Sequence, residues 1–168
     1  MHSTSKTLYW ALAVLLVLGL SGCGFHLKGY QQTTPNLDGL FIERGEQRGT
    51  LAGVIKQELK IAGVLLADSL EGAKHHLRIT QERYGQRVMS VDANGKVLEY
   101  ELRLEAAFEV LAAGSPQTLP LQRLDLTRQL TLSDADELGQ RNEAALMRID
   151  MRQDMAGQII RRLQAGLK

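Results

Sequence analysis

Residues 98–110 read LEYELRLEAAFEV, and this stretch alternates apolar and polar side chains along its length. Every even-numbered position is apolar, and every odd-numbered position except Ala107 is charged. Because successive side chains of a strand point to opposite faces, the alternation predicts a strand with one apolar and one charged face. Such a strand fits a sheet that is covered by other elements on one side and faces water on the other.

A hairpin signal precedes this strand. Residues 92–95 read DANG, and the Asn-Gly pair accepts the positive φ angles of a type I′ turn. The strand that enters the hairpin begins around Leu77 and continues over residues 88–91. Gly85 lies within it and indicates a bulge or a bend. These residues predict an antiparallel hairpin whose second strand is residues 98–110.

Two further strands are predicted at the ends of this region. The apolar run Leu40–Ile42 indicates a short first strand. Residues 112–120 contain Pro116 and Pro120 and predict a loop. Residues 124–132 alternate again, with leucine at most even positions, and predict the last strand.

Two helical patterns lie outside the hairpin. The first has Leu51, Ile55 and Leu59 on one face, Thr50 as N-cap and Gly63 just past its end. The second follows N-cap candidates at residues 133–136 and runs to about Leu167. Its predicted apolar stripe comprises Ala145, Ile149, Ala156, Ile160, Leu163 and Leu167, broadened by Leu146, Met155 and Ile159. The order β-α-β-β-β-α predicts an α+β fold, a two-layer sandwich with two helices packed on one face of a four-stranded sheet.

The amino-terminal residues have the character of an export signal. An apolar run over residues 8–20 follows Lys6 and is too short to span a bilayer. Residues 20–23 read LSGC, which resembles the bacterial lipobox, where cleavage precedes a cysteine that is then diacylated. An ordinary export signal followed by an unrelated cysteine is the alternative. We favour the lipobox because Cys23 is the only cysteine of the chain.

These segments divide the chain into three parts. Residues 1–22 are predicted to be a lipoprotein signal peptide, residues 23–36 a lipidated amino terminus and tether, and residues 37–168 a single α+β domain. Two acyl chains on Cys23 would hold the protein stably in a membrane. Residue 24 is Gly rather than Asp, which by the sorting logic of bacterial lipoproteins implies the outer membrane of a Gram-negative cell.

The composition is that of an ordinary globular protein. Of the 168 residues, 44% are hydrophobic and 23% charged. Lys+Arg is 20 and Asp+Glu is 19, so no net field attracts the chain to a polyanion, and no nucleic-acid partner is expected.

The sequence offers little to support catalysis or a cofactor. His75 and His76 are neighbours on a strand and point apart, and His26 is distant in sequence, so no metal site is expected. The charged face of the hairpin strand carries a row of carboxylates, which can act in acid–base chemistry but is equally typical of a solvated sheet face. This row consists of Glu99, Glu101, Glu105 and Glu109. The residues therefore give no specific support for catalysis, and we expect no cofactor.

Basic residues also concentrate near the predicted hairpin. They are Arg83, Arg87, Lys96 and Arg103. Arginine and lysine bind phosphorylated ligands, although scattered solvent-exposed charge is the simpler interpretation of this group.

Several short motifs resemble the LptE family of lipopolysaccharide-assembly lipoproteins. They occur in the family's order over most of the mature chain, and together with the lipobox they are fairly specific. They are CGFHLK at 23–28, ELKIAGV at 58–64, NG at 94–95 followed by EY at 99–100, NE at 142–143, and QIIRRL at 158–163. The family's fold of two helices on a four-stranded sheet agrees with the element order derived from the residues.

The resemblance implies a non-enzymatic outer-membrane lipoprotein that binds the LptD β-barrel one-to-one. It implies a plug within the barrel lumen that helps the barrel assemble and assists lipopolysaccharide transport to the outer leaflet. A hydrated lumen would suit the charged sheet face. A free-standing periplasmic lipoprotein, either a small enzyme or a scaffold for another envelope complex, remains the alternative.

The resemblance also implies lipopolysaccharide binding by basic residues at the hairpin turn and near the start of the last helix. In this sequence the aligned positions hold Ala93 and Gln140 instead. Lys96 and Arg141 lie close to those positions, and they are the candidate lipopolysaccharide contacts.

Overall fold

The computed structural model describes residues 35–112, 115–132 and 137–167. These ranges form a short 3-10 helix at Pro35–Leu37, four strands and two longer helices. The strands are β1 (Leu40–Ile42), β2 (His75–Val91), β3 (Val97–Ala112) and β4 (Ser115–Thr131), and the helices are α1 (Leu51–Ile61) and α2 (Glu137–Gly166). The predicted α+β order and the two-layer arrangement are confirmed. The predicted signal peptide, Cys23 and most of the tether lie outside the described residues, as do the N-cap candidates at 133–136.

The sheet has the order β1-β2-β3-β4, with β1 parallel to β2 and the other pairs antiparallel. The predicted loop over residues 112–120 is wrong, because β3 continues to Ala112 and β4 begins at Ser115. Pro116 and Pro120 therefore lie within a strand. An edge strand tolerates proline because one side of its backbone has no ladder partner, and β4 is at the edge of this sheet.

The bulges of β2 are not where the sequence predicted them. Gly85 pairs in register with Arg103, so of the bulge or bend predicted there the bulge is wrong. The irregularities lie instead around Thr80 and Met89. An extra residue in one strand reverses which alternate positions face the core. Glu82 and the even-numbered residues from there to Val88 therefore lie on the side of the sheet that carries the helices, whereas Ser90, beyond the second irregularity, stands opposite Glu99 on the other face.

The first helix begins and ends as its sequence predicts. The Thr50 hydroxyl accepts a hydrogen bond from the Gly53 amide at 3.2 Å and caps α1. Gly63, just beyond the helix, has a φ of +79°, which a residue without a Cβ adopts readily. Leu51 and Ile55 of α1 are fully buried and belong to the same core cluster as Phe108 of β3.

Only the carboxyl-terminal part of the predicted stripe on α2 is confirmed. Met155, Ala156, Ile159, Ile160, Leu163 and Leu167 are buried. The amino-terminal part of the prediction is wrong, because Leu146 and Ile149 are 64% and 51% exposed and Ala145 is also exposed. Met147 and Met151 face the core in their place. The predicted residues and the two methionines both have helical spacing. The methionines continue the buried face because Met151 lies one helical turn before the buried Met155.

A charged bridge joins both helices to the sheet. Glu82 of β2 accepts a hydrogen bond from the Leu51 amide at the start of α1, at 2.9 Å. Its other carboxylate oxygen accepts from Arg152 Nε of α2 at 2.6 Å. The side chains of Glu82 and Arg152 are 19% and 14% exposed, so this pair is largely removed from water.

Candidate functional site

The β2–β3 hairpin positions Lys96 through a hydrogen-bonded turn. The Asp92 amide donates to the Lys96 carbonyl at 2.8 Å, and the Gly95 amide donates to the Asp92 carbonyl at 3.1 Å. The Asp92 carboxylate accepts from the amides of Asn94 and Lys96 at 2.8 and 2.9 Å. Gly95 has a φ of +82°, whereas the φ of Asn94 is negative. The hairpin is confirmed, but the type I′ turn is wrong, since that turn requires two successive residues with positive φ.

A cavity of about 470 Å³ lies between this end of the hairpin and the first turns of α2. Gln86 and Lys96 line it from the hairpin, and Gln140 and Arg141 line it from the helix. The rest of the lining is mostly apolar and comprises Val97, Tyr100, Leu130, Leu132 and Ala144. The cavity therefore combines two cationic side chains with an apolar surface formed by β3 and β4.

The structure brings together the two basic residues that the sequence nominated. Lys96 and Arg141 are distant in sequence and line the same cavity. Gln140, which stands at one of the two aligned family positions, also lines it, whereas Ala93 lies in the turn and is absent from the lining. Sequence reasoning missed Gln86, because the bulge at Thr80 is needed to place it on this side of the sheet. Alternation along β3 did indicate that Tyr100 would face this side.

A second arginine of α2, Arg148, lies one helical turn beyond Ala144 of the cavity wall. The guanidinium carbon of Arg148 stands 4.8 Å from the centre of the Tyr84 ring, within the range of a cation–π contact. Burial raises the pKa of Tyr84, and the positive charges of Arg148 and Arg152 oppose that rise. Arg148 therefore extends the basic side of α2.

The opposite face of the sheet carries a network of ion pairs. Arg87 lies 3.2 Å from Glu101, and Arg103 lies 3.3 Å from Glu105 and also binds Asp125. The hydrogen bond to Asp125 raises the pKa of the Arg103 guanidinium. The outer members of the carboxylate row also have partners. Arg78 forms an ion pair with Glu109, and the Ser90 hydroxyl donates a hydrogen bond to Glu99 at 2.8 Å.

This network divides the basic residues that the sequence grouped near the hairpin. Arg83, Arg87 and Arg103 stand opposite Glu105, Glu101 and Gly85 in the β2–β3 register, on the face away from the helices. Lys96 alone of that group lines the cavity with Arg141. The basic residues near the hairpin thus belong to two separate surfaces.

The two described histidines lie at the other end of β2. His76 Nε2 is 3.2 Å from a carboxylate oxygen of Glu43, and its ring packs against Phe41 at 5.5 Å between centroids. Within the described ranges, no three His, Cys, Asp or Glu side chains are grouped as a metal ion requires. No helix in those ranges combines the length and the apolar character that a membrane crossing requires.

Comparison with known families gives a match over most of the chain. The family model described as "LptE: Lipopolysaccharide-assembly" matches residues 37–163. The LPS-assembly lipoprotein LptE of Yersinia enterocolitica is 32% identical over 150 residues, covering 89% of this chain and 72% of the relative. That of Yersinia pestis (strain Pestoides F) is 32% identical over 158 residues, covering 94% and 74%.

Solved structures with similar folds are also lipoproteins. The crystal structure of rare lipoprotein B from Shewanella oneidensis has a TM-score of 0.61 at 20% identity, covering 71% of this chain and 89% of that one. The solution structure of lipoprotein B from Nitrosomonas europaea has a TM-score of 0.60 at 26% identity, covering 69% and 76%. The two-layer fold is therefore shared with proteins described as lipoproteins.

Proposed function

Since the chain belongs to the LptE family and has a role in lipopolysaccharide assembly, we propose that it binds lipopolysaccharide at Lys96 and Arg141. We further propose that it is an outer-membrane lipoprotein anchored through Cys23. In this proposal it plugs the barrel of an LptD-type partner, in a one-to-one complex, and has no catalytic role.

The observation that carries the binding site is the convergence of Lys96 and Arg141 on one cavity. Lipopolysaccharide bears phosphate groups on its lipid-linked sugars, and ammonium and guanidinium groups form charge-assisted hydrogen bonds with phosphate oxygens. Arg148 adds a further positive charge beside the same wall, over the Tyr84 ring. A cavity with cations from two separate elements fits a phosphorylated ligand better than scattered surface charge does.

The ion-paired sheet face supports the proposed barrel partner. Its arginines and carboxylates compensate one another, as in the Arg87–Glu101 and Arg103–Asp125 pairs. A face of this kind stays hydrated without needing charges from a partner, which is what the water-filled interior of a β-barrel requires.

The same pairing argues for a non-catalytic role. Each member of the carboxylate row holds a polar partner, among them Ser90 for Glu99 and Arg78 for Glu109. A general acid or base works best when its pKa is tuned and when it can reach a substrate proton. A row of carboxylates engaged with arginines along an open sheet serves the charge balance of that face instead.

The binding site is tested with a double variant of the full chain. We expect Lys96→Gln with Arg141→Gln to weaken lipopolysaccharide binding at least about tenfold, because each charged contact contributes about 1.5–3 kcal/mol. The matched control is Lys60→Gln with Arg161→Gln, which removes the same charge from exposed positions that lie outside the cavity lining. Equal binding by the two double variants would remove Lys96 and Arg141 from the site.

The partner and the anchor are tested on the tagged full chain expressed in its cell. We expect affinity purification from detergent-solubilised outer membranes to recover an LptD-type barrel at a one-to-one ratio. Recovery of the chain alone, while other barrel complexes survive, would favour a free-standing periplasmic lipoprotein. Mass spectrometry of the mature amino terminus should show acylated Cys23, and an unmodified cysteine would refute the anchor.

A further inference from the structure

We propose that the domain rests on the membrane that holds its lipid anchor, through a surface at the end of α1. This docking surface comprises Ile61, Leu65, Arg48, Lys56 and Lys60. The inference rests on the proposed function, since it takes Cys23 to be acylated. The occupant of the docking surface is the layer of phospholipid headgroups into which that anchor inserts.

Two large apolar side chains face water at this end of the domain. Ile61 is 75% and Leu65 73% exposed, the highest values for large apolar side chains in the described ranges. The backbone at Leu65 is nonetheless fixed, because its amide donates to the Asp38 carboxylate at 2.9 Å and its carbonyl accepts from the Gly39 amide at 2.7 Å. A hydrogen-bonded segment, rather than a loose loop, therefore presents Leu65 to solvent.

The proposed anchor attaches at the same end of the domain. Asp38 and Gly39, which bind Leu65, come just after Pro35, where the described residues begin. Cys23 precedes Pro35 by twelve residues, and a fully extended chain of that length spans at most about 40 Å. The membrane that holds an acylated Cys23 is therefore within reach of this end of the domain.

The docking surface is remote from the hairpin cavity. Residues 65–67 run beside β1, since the Ala67 amide donates to the Leu40 carbonyl at 3.0 Å, and Leu40 stands opposite His75 at the start of β2. The hairpin turn follows the other end of β2, which has 17 residues. At about 3.3 Å per residue, roughly 50 Å separates the turn from β1. Membrane contact at the docking surface therefore leaves Lys96 and Arg141 untouched.

An open cavity of about 390 Å³ next to Ile61 adds positive charge to the docking surface. It lies between α1 and the loop before it, and its charged lining residues are Arg48, Lys56, Lys60 and Glu46. Glu46 forms an ion pair with Lys56, so three cations share one carboxylate. Anionic phospholipid headgroups attract such a group, and lysine and arginine place their stems along apolar surface while their charges stay in the headgroup layer.

The small apolar area favours a membrane over a protein partner. A stable protein interface buries about 800 Å² on each side and is rich in aromatic side chains, whereas the docking surface offers two aliphatic ones. A bilayer needs no matching shape, and an anchor that keeps the domain beside it makes a weak contact sufficient. The next loop, residues 68–72, is a poorer match for anionic headgroups, because Asp68 and Glu71 flank Leu70 with negative charge.

The test follows a spin label on the lipidated chain in vesicles of phosphatidylethanolamine and phosphatidylglycerol. Gln57→Cys supplies the label site, since Gln57 is exposed one helical turn before Ile61 and acylation occupies the thiol of Cys23. Collisions of the label with oxygen, which concentrates in lipid, and with a nickel chelate, which stays in water, give the ratio of docked to undocked domain. One variant, Ile61→Ser with Leu65→Ser, removes the apolar side chains. A second variant, Ile61→Leu with Leu65→Ile, keeps them.

We expect the label beside the unaltered docking surface to collide mainly with oxygen. The serine pair should lower the ratio of docked to undocked domain at least about tenfold, because it removes the apolar area that enters the bilayer. The pair that keeps the side chains apolar should dock like the unaltered surface. The matched control is Leu146→Ser with Ile149→Ser, one leucine and one isoleucine that are 64% and 51% exposed on α2. This control should leave the ratio unchanged.

Three results would overturn the docking surface. The first is a label that collides mainly with the nickel chelate although the lipidated chain floats with the vesicles. The second is an equal fall in the ratio for the serine pair and its control. The third is a loss of barrel co-purification in the serine pair with unchanged label collisions, which would make this surface a protein contact. Failure of the anchor is distinguishable, because the mass of the amino terminus would then show an unmodified Cys23, and that result would overturn both proposals.

Discussion

Removal of the Glu82 carboxylate should destabilise the domain more than loss of any exposed ion pair on the sheet. Glu82 accepts hydrogen bonds from the Leu51 amide and from Arg152 Nε, so one side chain connects β2 to both helices. In Glu82→Ala the amide at the start of α1 loses its acceptor, and the Arg152 guanidinium stays largely buried without its carboxylate. A buried charge left without its partner is among the more costly defects in a protein.

The expected size follows from the burial of the two partners. A hydrogen bond to a charged group contributes about 1.5–3 kcal/mol. Glu82 and Arg152 are still 19% and 14% exposed, and because water can partly replace each lost bond, we use the lower value. Loss of both bonds should therefore cost about 3 kcal/mol. For a domain of this size that corresponds to a fall in Tm of about 10 °C. Glu82→Gln keeps an acceptor for the Leu51 amide and should cost about half as much.

The assay is urea unfolding followed by circular dichroism, with Glu101→Ala as the matched control. Glu101 lies on the same sheet and pairs with Arg87, whose side chain is 70% exposed, so its removal should cost less than about 1 kcal/mol. A double-mutant cycle with Arg152→Met should give a coupling energy of about 1–3 kcal/mol. If Glu82→Ala costs no more than Glu101→Ala, the bridge does not stabilise the fold.

Three further predictions concern single side chains. Gly53→Ala should lower the free energy of unfolding by about 1–3 kcal/mol, seen as a lower urea midpoint, although alanine favours helices. The reason is that its Cβ would lie 2.3 Å from the Gln47 carbonyl oxygen. A higher midpoint would show that the loop at Gln47 moves to make room. Gly95→Ala should cost about 1–2 kcal/mol in thermal melts, since the φ of +82° is unfavourable for a residue with a Cβ, and Gly95→Asn should recover part of it; equal melting of all three would refute the strain. Burial raises the pKa of Glu58 above its ordinary value of 4.5, so its preference for the protonated form stabilises the fold below that value and is lost as pH rises through the folded pKa. Glu58→Gln should therefore raise stability at pH 7 and lose that advantage in acid, and a pH-independent difference would contradict this account.

The strands and the first helix were predictable because local patterns determine them. Alternation along residues 98–110 identified β3 and its apolar face, and Thr50 and Gly63 identified the ends of α1. The hairpin was also predictable, although its turn type was not. Asp92 binds two amides of the turn through its carboxylate, and this local competition gives a three-residue loop in which Gly95 has a positive φ and Asn94 does not.

The prolines of β4 show where local signals mislead. Pro116 and Pro120 predict a loop when the neighbours of the strand are unknown. Their place in a strand depends on β4 being at the edge of the sheet, which the strand order decides. The apolar stripe of α2 was mispredicted for a similar reason. Ile149 and Met151 fit a helical stripe equally well in the sequence, and only the packing of the helix on the sheet decides that Met151 is buried and Ile149 is exposed.

The sequence by itself determined the element order and the apolar face of β3. The lipobox at Cys23 stays a prediction, and the family resemblance supplied Lys96 and Arg141 as site candidates. Tertiary structure alone decided that Lys96 and Arg141 share a cavity and that Glu82 lies on the helix side of the sheet. The physical reason is that periodicity records which residues of one element share a face. The rotation of that face, the position of a bulge and the meeting of two distant segments depend on contacts between elements, and those contacts exist only in the folded chain.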